Sequence, residues 1–360
     1  MKFFNLDLHI AVIADVKEIF KKLGHQVTSW DISGHSWVFD RERTSVDVVN
    51  ECTWENLDRE MCDKFFERYK DELASYDAFI TTHTPSFSML YEKFEKPIIS
   101  IASTRYEFPF SNKMILWSKF NKYLQENIDN GRLIAVSNNK YDVEYCKLFT
   151  NRDWEHIPSL CEYTKSKYRG IKNEFLYSSK FKPRINIKSP IIDKDIALGR
   201  GYKWQNIADY KGVVHIPYNA SVMSITEQYT ACIPLFIPSW EFLKELREKY
   251  YNAGVLSELS WNQVRNHQGG YFSNSTIPVN TIKDPNNYLN NDIMMEWVKL
   301  SDFYDEDRMP HIQYFNSFEH LDELLASVNL ENISKQMAIQ NTLRKKETYE
   351  KWNHILEKLV

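Results

Sequence analysis

The feature that most constrains this chain is a rhythm. From residue 2 to residue 157, short apolar runs alternate with longer segments whose apolar residues recur at helical spacing. Residues 2–6 read as a strand. Ile10, Ile13, Val16, Ile19, Phe20 and Leu23 then mark one face of a helix over 10–23, with Gly24 as its stop. Residues 26–32 read as a second strand, so the chain opens strand–helix–strand with Asp7, Leu8 and His9 in the first turn. A helix over 54–73, a strand over 76–82, a short helix over 88–94 and a fully apolar strand over 97–102 follow. The pattern closes with a helix over 117–128, a strand over 133–136, a helix over 141–149 and a strand near 155–157.

Strands separated by helices predict an α/β fold with a parallel sheet, because right-handed crossovers lay helices on both faces. Ligands gather at the carboxyl ends of the strands of such a sheet. This sequence places its unusual polar groups there: Asp7 and His9, then Ser33, Gly34 and His35, then His83, then Arg105 and Glu107.

A chain of 360 residues exceeds the usual size of one core, so two domains are expected. From 161 to 189 the periodicity weakens into a Lys- and Tyr-rich stretch, read as the connection. Alternation resumes with strands over 213–217 and 234–237, helices over 223–231 and 240–250, a strand over 311–314 and helices over 318–325 and 333–359. The last helix is long enough to pack back across the first domain. The expected limits are 1–165 for the N-terminal domain, 185–335 for the C-terminal one and 336–360 for the returning helix.

A net charge of -4 offers no field to collect a phosphate backbone, which argues against nucleic acid and for a small ligand. Five scattered cysteines without a C-x-x-C pair suggest neither a disulfide framework nor a zinc site, and a reducing compartment fits them. The N-terminus lacks the pattern of a signal peptide, and no stretch reaches the length of a membrane span. A cytoplasmic protein is expected, with peripheral membrane contact left open.

The most informative segment is 210–239, YKGVVHIPYNASVMSITEQYTACIPLFIPS, read as strand, polar turn, helix and strand. Tyr218, Asn219, Ala220 and Ser221 form the turn, and the helix begins near Met223 or Ser224. Free N–H groups and the positive dipole end there suit a diphosphate. Glu227, one turn on, stands where a carboxylate could accept hydrogen bonds from two ribose hydroxyls. The alternative is a simple N-cap by Ser221 or Ser224, with Glu227 as the acidic partner of a capping box.

In this segment the chain resembles nucleotide-sugar-dependent glycosyltransferases of the GT-B superfamily. That resemblance implies two Rossmann-like domains facing each other across a cleft, with donor binding in the C-terminal one and the acceptor in the other. It implies a basic pair for the diphosphate, for which Arg200 and Lys203 in GRGYKW stand at the expected place. No cofactor or metal is implied beyond the nucleoside diphosphate sugar itself, with UDP or GDP as the nucleotide, and the partner is a glycan or other hydroxyl acceptor. The chain departs from the family in having Asp7, Leu8 and His9 in place of a glycine-rich first turn. It also lacks a second acidic residue eight positions after Glu227, which points towards inversion of the sugar.

His9 resembles a base of some inverting members, with Asp7 or another carboxylate orienting its ring; alternatively it only caps the following helix. Arg105 and Glu107 read either as a sugar or phosphate clamp and a base, or as a surface ion pair. His35 and His83 suit acceptor hydroxyls, or are exposed loop histidines. Asp193, Lys194 and Asp195 form a D-x-D, a metal motif elsewhere but a frequent chance triplet. Asp305, Glu306 and Asp307 read as a solvated loop. Two rival functions remain: a sugar-nucleotide epimerase of the same fold, and a non-catalytic protein with two lobes that binds a small ligand.

Overall fold

The structure, a computed structural model, describes residues 1–35, 38, 46–182, 187–258 and 290–359. It divides into two compact units, one of Met1–Ser159 with Thr348–Val360, the other of Leu160–Leu259 with Asn290–Glu347. In the first unit, β1 (Lys2–Asp7), β2 (Gln26–Asp31), β3 (Ala78–Thr81), β4 (Ile98–Ala102), β5 (Leu133–Ser137) and β6 (Glu155–His156) make one sheet in the order β2-β1-β3-β4-β5-β6. Every pairing in it is parallel. The crossovers carry α1 (Ile10–Lys22), α2 (Arg59–Leu73), α3 (Met114–Asp129) and α4 (Lys140–Thr150).

The expected helix over 54–73 is interrupted. Trp54–Asn56 makes a single 3-10 turn, and α2 starts afresh where the Asp58 carboxylate accepts the Met61 N–H at 2.8 Å. The stretch expected as a short helix over 88–94 lies inside a 3-10 run, Pro85–Phe94. The sheet is closed by aromatic packing. Phe4 is fully buried, with the rings of Trp30 and Tyr76 at 4.7 and 5.3 Å and those of Tyr91 and Phe79 at 6.1 and 6.2 Å. The Tyr91 hydroxyl in turn accepts the Leu6 N–H at 3.1 Å.

The second unit holds β7 (Phe175–Ser178), β8 (Ile191–Asp193), β9 (Val213–His215), β10 (Leu235–Pro238) and β11 (Gln313–Phe315) in the order β11-β10-β9-β7-β8. All of these pairs are parallel as well. Its helices are α5 (Lys194–Leu198), α6 (Trp204–Ala208), α7 (Met223–Thr230), α8 (Trp240–Tyr250), α9 (Asn291–Val298), α10 (Phe318–Ser327) and α11 (Leu330–Glu357). Two parallel α/β sheets are thus what the alternation foretold. The stretch expected as a connection is instead part of this unit, because β7 pairs with both β8 and β9. Arg169 anchors the approach to it, donating to both oxygens of Asp209 at 2.6 and 2.7 Å. Gly212, leading into β9, is required by space: a Cβ there would stand 2.8 Å from the Pro234 carbonyl oxygen.

Ile333 and Met337 of α11 join the buried cluster of the second unit, and Asn341 donates to the Tyr229 carbonyl at 2.9 Å. Farther along the same helix, Trp352 belongs to the first unit and meets Phe20 of α1 edge-on at 5.1 Å. No helix of the described residues is long and apolar enough to cross a membrane.

Because Phe4 has no room to be replaced by solvent, Phe4→Ala should destabilise the protein by about 3–5 kcal/mol, the usual effect of emptying a buried aromatic site. Denaturant unfolding followed by near-UV circular dichroism checks this, with a lower midpoint expected.

Candidate functional site

In the first unit, the order of strands turns back between β1 and β3, so their carboxyl ends part and leave a crevice. Asp7, the last residue of β1, is wholly buried at this point. Its Oδ1 accepts the Leu8 N–H at 2.8 Å, and its Oδ2 accepts those of Thr82, His83 and Thr84 at 2.7, 2.9 and 3.2 Å. Burial raises the Asp7 carboxyl above its ordinary value, against these N–H donors, which favour the ionised form. Asp7 is thus committed mainly to the backbone at 82–84, and among the described residues no hydrogen bond joins it to the His9 ring.

His9 does cap α1: its Nδ1 accepts the Val12 N–H at 3.4 Å. A ring nitrogen that accepts must be unprotonated, so the neutral ring carries its proton on Nε2. His83, buried, lies against His9 with ring centroids 4.6 Å apart. Desolvation and the nearby Arg105 charge hold His9 down at about 4, and burial holds His83 well below the ordinary value.

Beside this pair opens a cavity of about 460 Å³ lined by His9, Ser33, His35, Glu51, Trp54 and Arg105, among others. His35 is exposed, and its Nδ1 bonds the Ser33 carbonyl at 2.9 Å. Gly34 beside it has φ 75°, and a Cβ there would come within 3.1 Å of Glu51 Oε2. Glycine thus keeps the rim open. Arg105 sends its guanidinium over the Phe108 ring, 5.4 Å from the centroid.

Glu107 does not come to this cavity. It is fully buried and accepts the Tyr145 hydroxyl, so as a base for substrate it is misplaced. The cause lies just upstream, where Thr104 adopts a left-handed φ of 64° and donates its N–H to Asp142 at 2.7 Å. That turn sends Arg105 towards the cavity and Glu107 into the core. The two do not form a surface ion pair either.

In the second unit, β9 ends at His215 and the chain turns through Tyr218 to Ser221 into α7. Val222 occupies the N-cap position of α7 and no side chain caps it, so the capping box is not formed. Ser221 and Ser224 are partly exposed at this uncapped start. Glu227, one turn on, is held by two aromatic donors: the Tyr163 hydroxyl gives a hydrogen bond to Oε1, and Trp204 gives a second. Burial raises its carboxyl, against Tyr163, Trp204 and the charge of Lys194.

Asn219 is engaged within its own turn. It donates to the Glu258 carbonyl at 2.9 Å, and its oxygen accepts the Ala220 N–H at 2.7 Å. Tyr218 is partly buried beneath Lys180, whose Nζ lies 4.6 Å from the ring centroid. Arg200 and Lys203 are exposed, and the Lys203 N–H is bonded to Asn206 at 2.9 Å. In the D-x-D, Asp193 caps α5 through the N–H groups of Asp195 and Ile196 and pairs with Lys182.

Four residues escaped the sequence reading: Glu51, Tyr163, Lys194 and Trp204. Glu51 lies at no strand exit, and Tyr163 lies in the stretch taken as a connection. Lys194 is the middle residue of the D-x-D, where attention falls on the carboxylates. Its charge bears on Glu227, Tyr218 and His215 alike.

His215 is buried, bonds Gln228 through Nε2 at 2.6 Å, and is lowered by desolvation to about 4. Unfolded histidine takes its proton near pH 6.5. Stability supplied by neutral His215 should therefore be complete above about pH 6.5 and fall as the pH drops towards 4. The loss should reach about 3 kcal/mol, because each tenfold weakening of proton binding corresponds to about 1.4 kcal/mol. His9 acts in the same window and direction. Unfolding free energies measured from pH 7 to pH 4 should decline less steeply in His215→Gln than in the parent.

No family model matches the sequence, and no curated protein matches it. Among solved structures, the chain is similar to the glycotransferase of kitacinnamycin, with a TM-score of 0.46 and 8% identity over 100% of this chain and 99% of that one. It is also similar to spinosyn forosaminyltransferase, with a TM-score of 0.37 and 9% identity over 91% of this chain and 100% of that one.

Proposed function

We propose that the protein is a glycosyltransferase, moving a sugar from a nucleoside diphosphate to a hydroxyl of a glycan or other acceptor. The observation that carries this reading is the start of α7, a helix end without a side-chain cap, followed one turn later by the anchored Glu227 carboxylate. Backbone N–H groups at such an end stabilise a diphosphate, and more strongly as the leaving group gains charge. Lys194, Arg200 and Lys203 supply the positive charge in this reading, so it calls for no metal. Tyr163 and Trp204 fix the Glu227 carboxylate while leaving lone pairs for the ribose hydroxyls.

The acceptor belongs to the first unit, in the cavity lined by His9, His35 and Arg105. His9 is the proposed base. Its depressed pKa keeps the ring neutral at neutral pH, and it takes the acceptor's proton at Nε2 in the tautomer that carries its own proton on Nδ1, reached by exchange with solvent and loss of the long bond to Val12. Displacement by an acceptor oxygen in one step would invert the sugar.

A thermal-shift series with UDP, GDP, ADP, CMP and their sugars should pick out one nucleotide, since selective binding raises the unfolding midpoint. Calorimetry of Glu227→Ala with that nucleotide should give an affinity weaker by roughly tenfold to a hundredfold, the effect of losing hydrogen bonds to a charged group. Unchanged affinity would remove the reading. His9→Ala should keep nucleotide affinity and lose transfer by about a hundredfold or more, as expected for a general base.

A further inference from the structure

Among the described residues, no hydrogen bond or close ion pair holds the Arg105 guanidinium: the Phe108 ring lies 5.4 Å away, and the charges of Asp7 and Glu55 act on it without bonding it. It is nevertheless half-buried in the wall of the 460 Å³ cavity. Arginine presents five donors in a planar fork matched to a carboxylate or phosphate, and withdrawing it from water with those donors unbonded is unfavourable. The buried carboxylate of Asp7 attracts the fork through its charge, but its oxygens are engaged by backbone N–H groups and neither is bonded to Arg105. Glu51 lies exposed on the same wall and is not bonded to Arg105.

His9, the proposed base, stands in the same lining. With Nδ1 accepting from Val12, its neutral ring presents Nε2–H. His35 has the opposite arrangement: Nδ1 donates to the Ser33 carbonyl, which leaves Nε2 to accept from a hydroxyl. The cavity therefore combines the Arg105 fork, suited to an oxyanion, with imidazoles suited to a hydroxyl.

We propose that this cavity takes an acceptor that carries an oxyanion, a carboxylate or a phosphate, gripped by Arg105. The proposal rests on the transfer reading above and deepens it by giving the chemical class of the acceptor. The bound oxyanion would hold the molecule by its charged end and leave a hydroxyl free for the reaction.

The test uses the full chain with carbon-13-labelled histidine, its His9 and His35 ring signals assigned through His9→Gln and His35→Gln. Benzoate, phenyl phosphate and benzyl alcohol are titrated without any nucleotide. Benzoate or phenyl phosphate should shift both rings saturably, the stronger of the two identifying the source of the oxyanion, and benzyl alcohol should not. Arg105→Gln should weaken the anion about tenfold or more, as expected for loss of a charge-assisted fork. Raising the ionic strength should also weaken binding to the parent protein, which keeps the test open should Arg105→Gln not fold. No saturable shift, equal affinity in Arg105→Gln, or binding indifferent to salt each overturns the proposal. The readout needs no donor, so anion binding that persists while Glu227→Ala leaves nucleotide affinity unchanged would sink the transfer reading and leave this site standing.

Discussion

The first unit depends on one buried carboxylate. Asp7 gathers the N–H groups of Leu8, Thr82, His83 and Thr84, and so ties the end of β1 to the segment leaving β3. A hydrogen bond to a charged group contributes about 1.5–3 kcal/mol, so four of them are of the size needed to offset the several kcal/mol that burial of an ion costs. What the arrangement secures is direction. The backbone at 82–84 cannot move without losing those bonds, and the His83 ring is thereby set against His9 at the wall of the cavity. The same carboxylate thereby fastens the scaffold beneath the cavity.

The sequence made the fold readable wherever periodicity had length to express itself. Six parallel strands and their helices in the first unit follow from apolar spacing, and the strand–turn–helix around Met223 lies where the pattern puts it. β7 was not legible because Phe175–Ser178 is embedded in a Lys- and Tyr-rich stretch with no helix pattern before it to mark a strand, and its strand character comes from pairing with β8 and β9. Direction was the other blind spot. Residue type and strand exit pick out Arg105 and Glu107 together, yet only the turn at Thr104 decides that one faces the cavity and the other the Tyr145 hydroxyl. Likewise, spacing allowed a capping box at α7, and the backbone placed Val222 where a serine was needed.

In the second unit, carboxylates and cations divide their work in a way that composition hides. Asp193 and Asp195 look like ligands for a divalent ion, but Asp193 caps α5 and both pair with Lys182. The lysine between them, 3.2 Å from the Tyr202 hydroxyl, is the member of the triplet whose charge reaches Glu227. Acidic residues at the sheet edge thus serve architecture, and the neighbouring cation supplies the field.

Both sheets follow one itinerary: the first strand lies second from the edge, the next outside it, and the rest on its other side in succession. Nothing in the residues repeats between the halves. What is preserved is a route for the backbone, renewed by different side chains each time: Phe4 among aromatic rings in one half, Gly212 slipping past a carbonyl in the other. The order in which a chain lays down its strands is thus indifferent to which side chains fill the space between them, and two cores of unlike composition can share it.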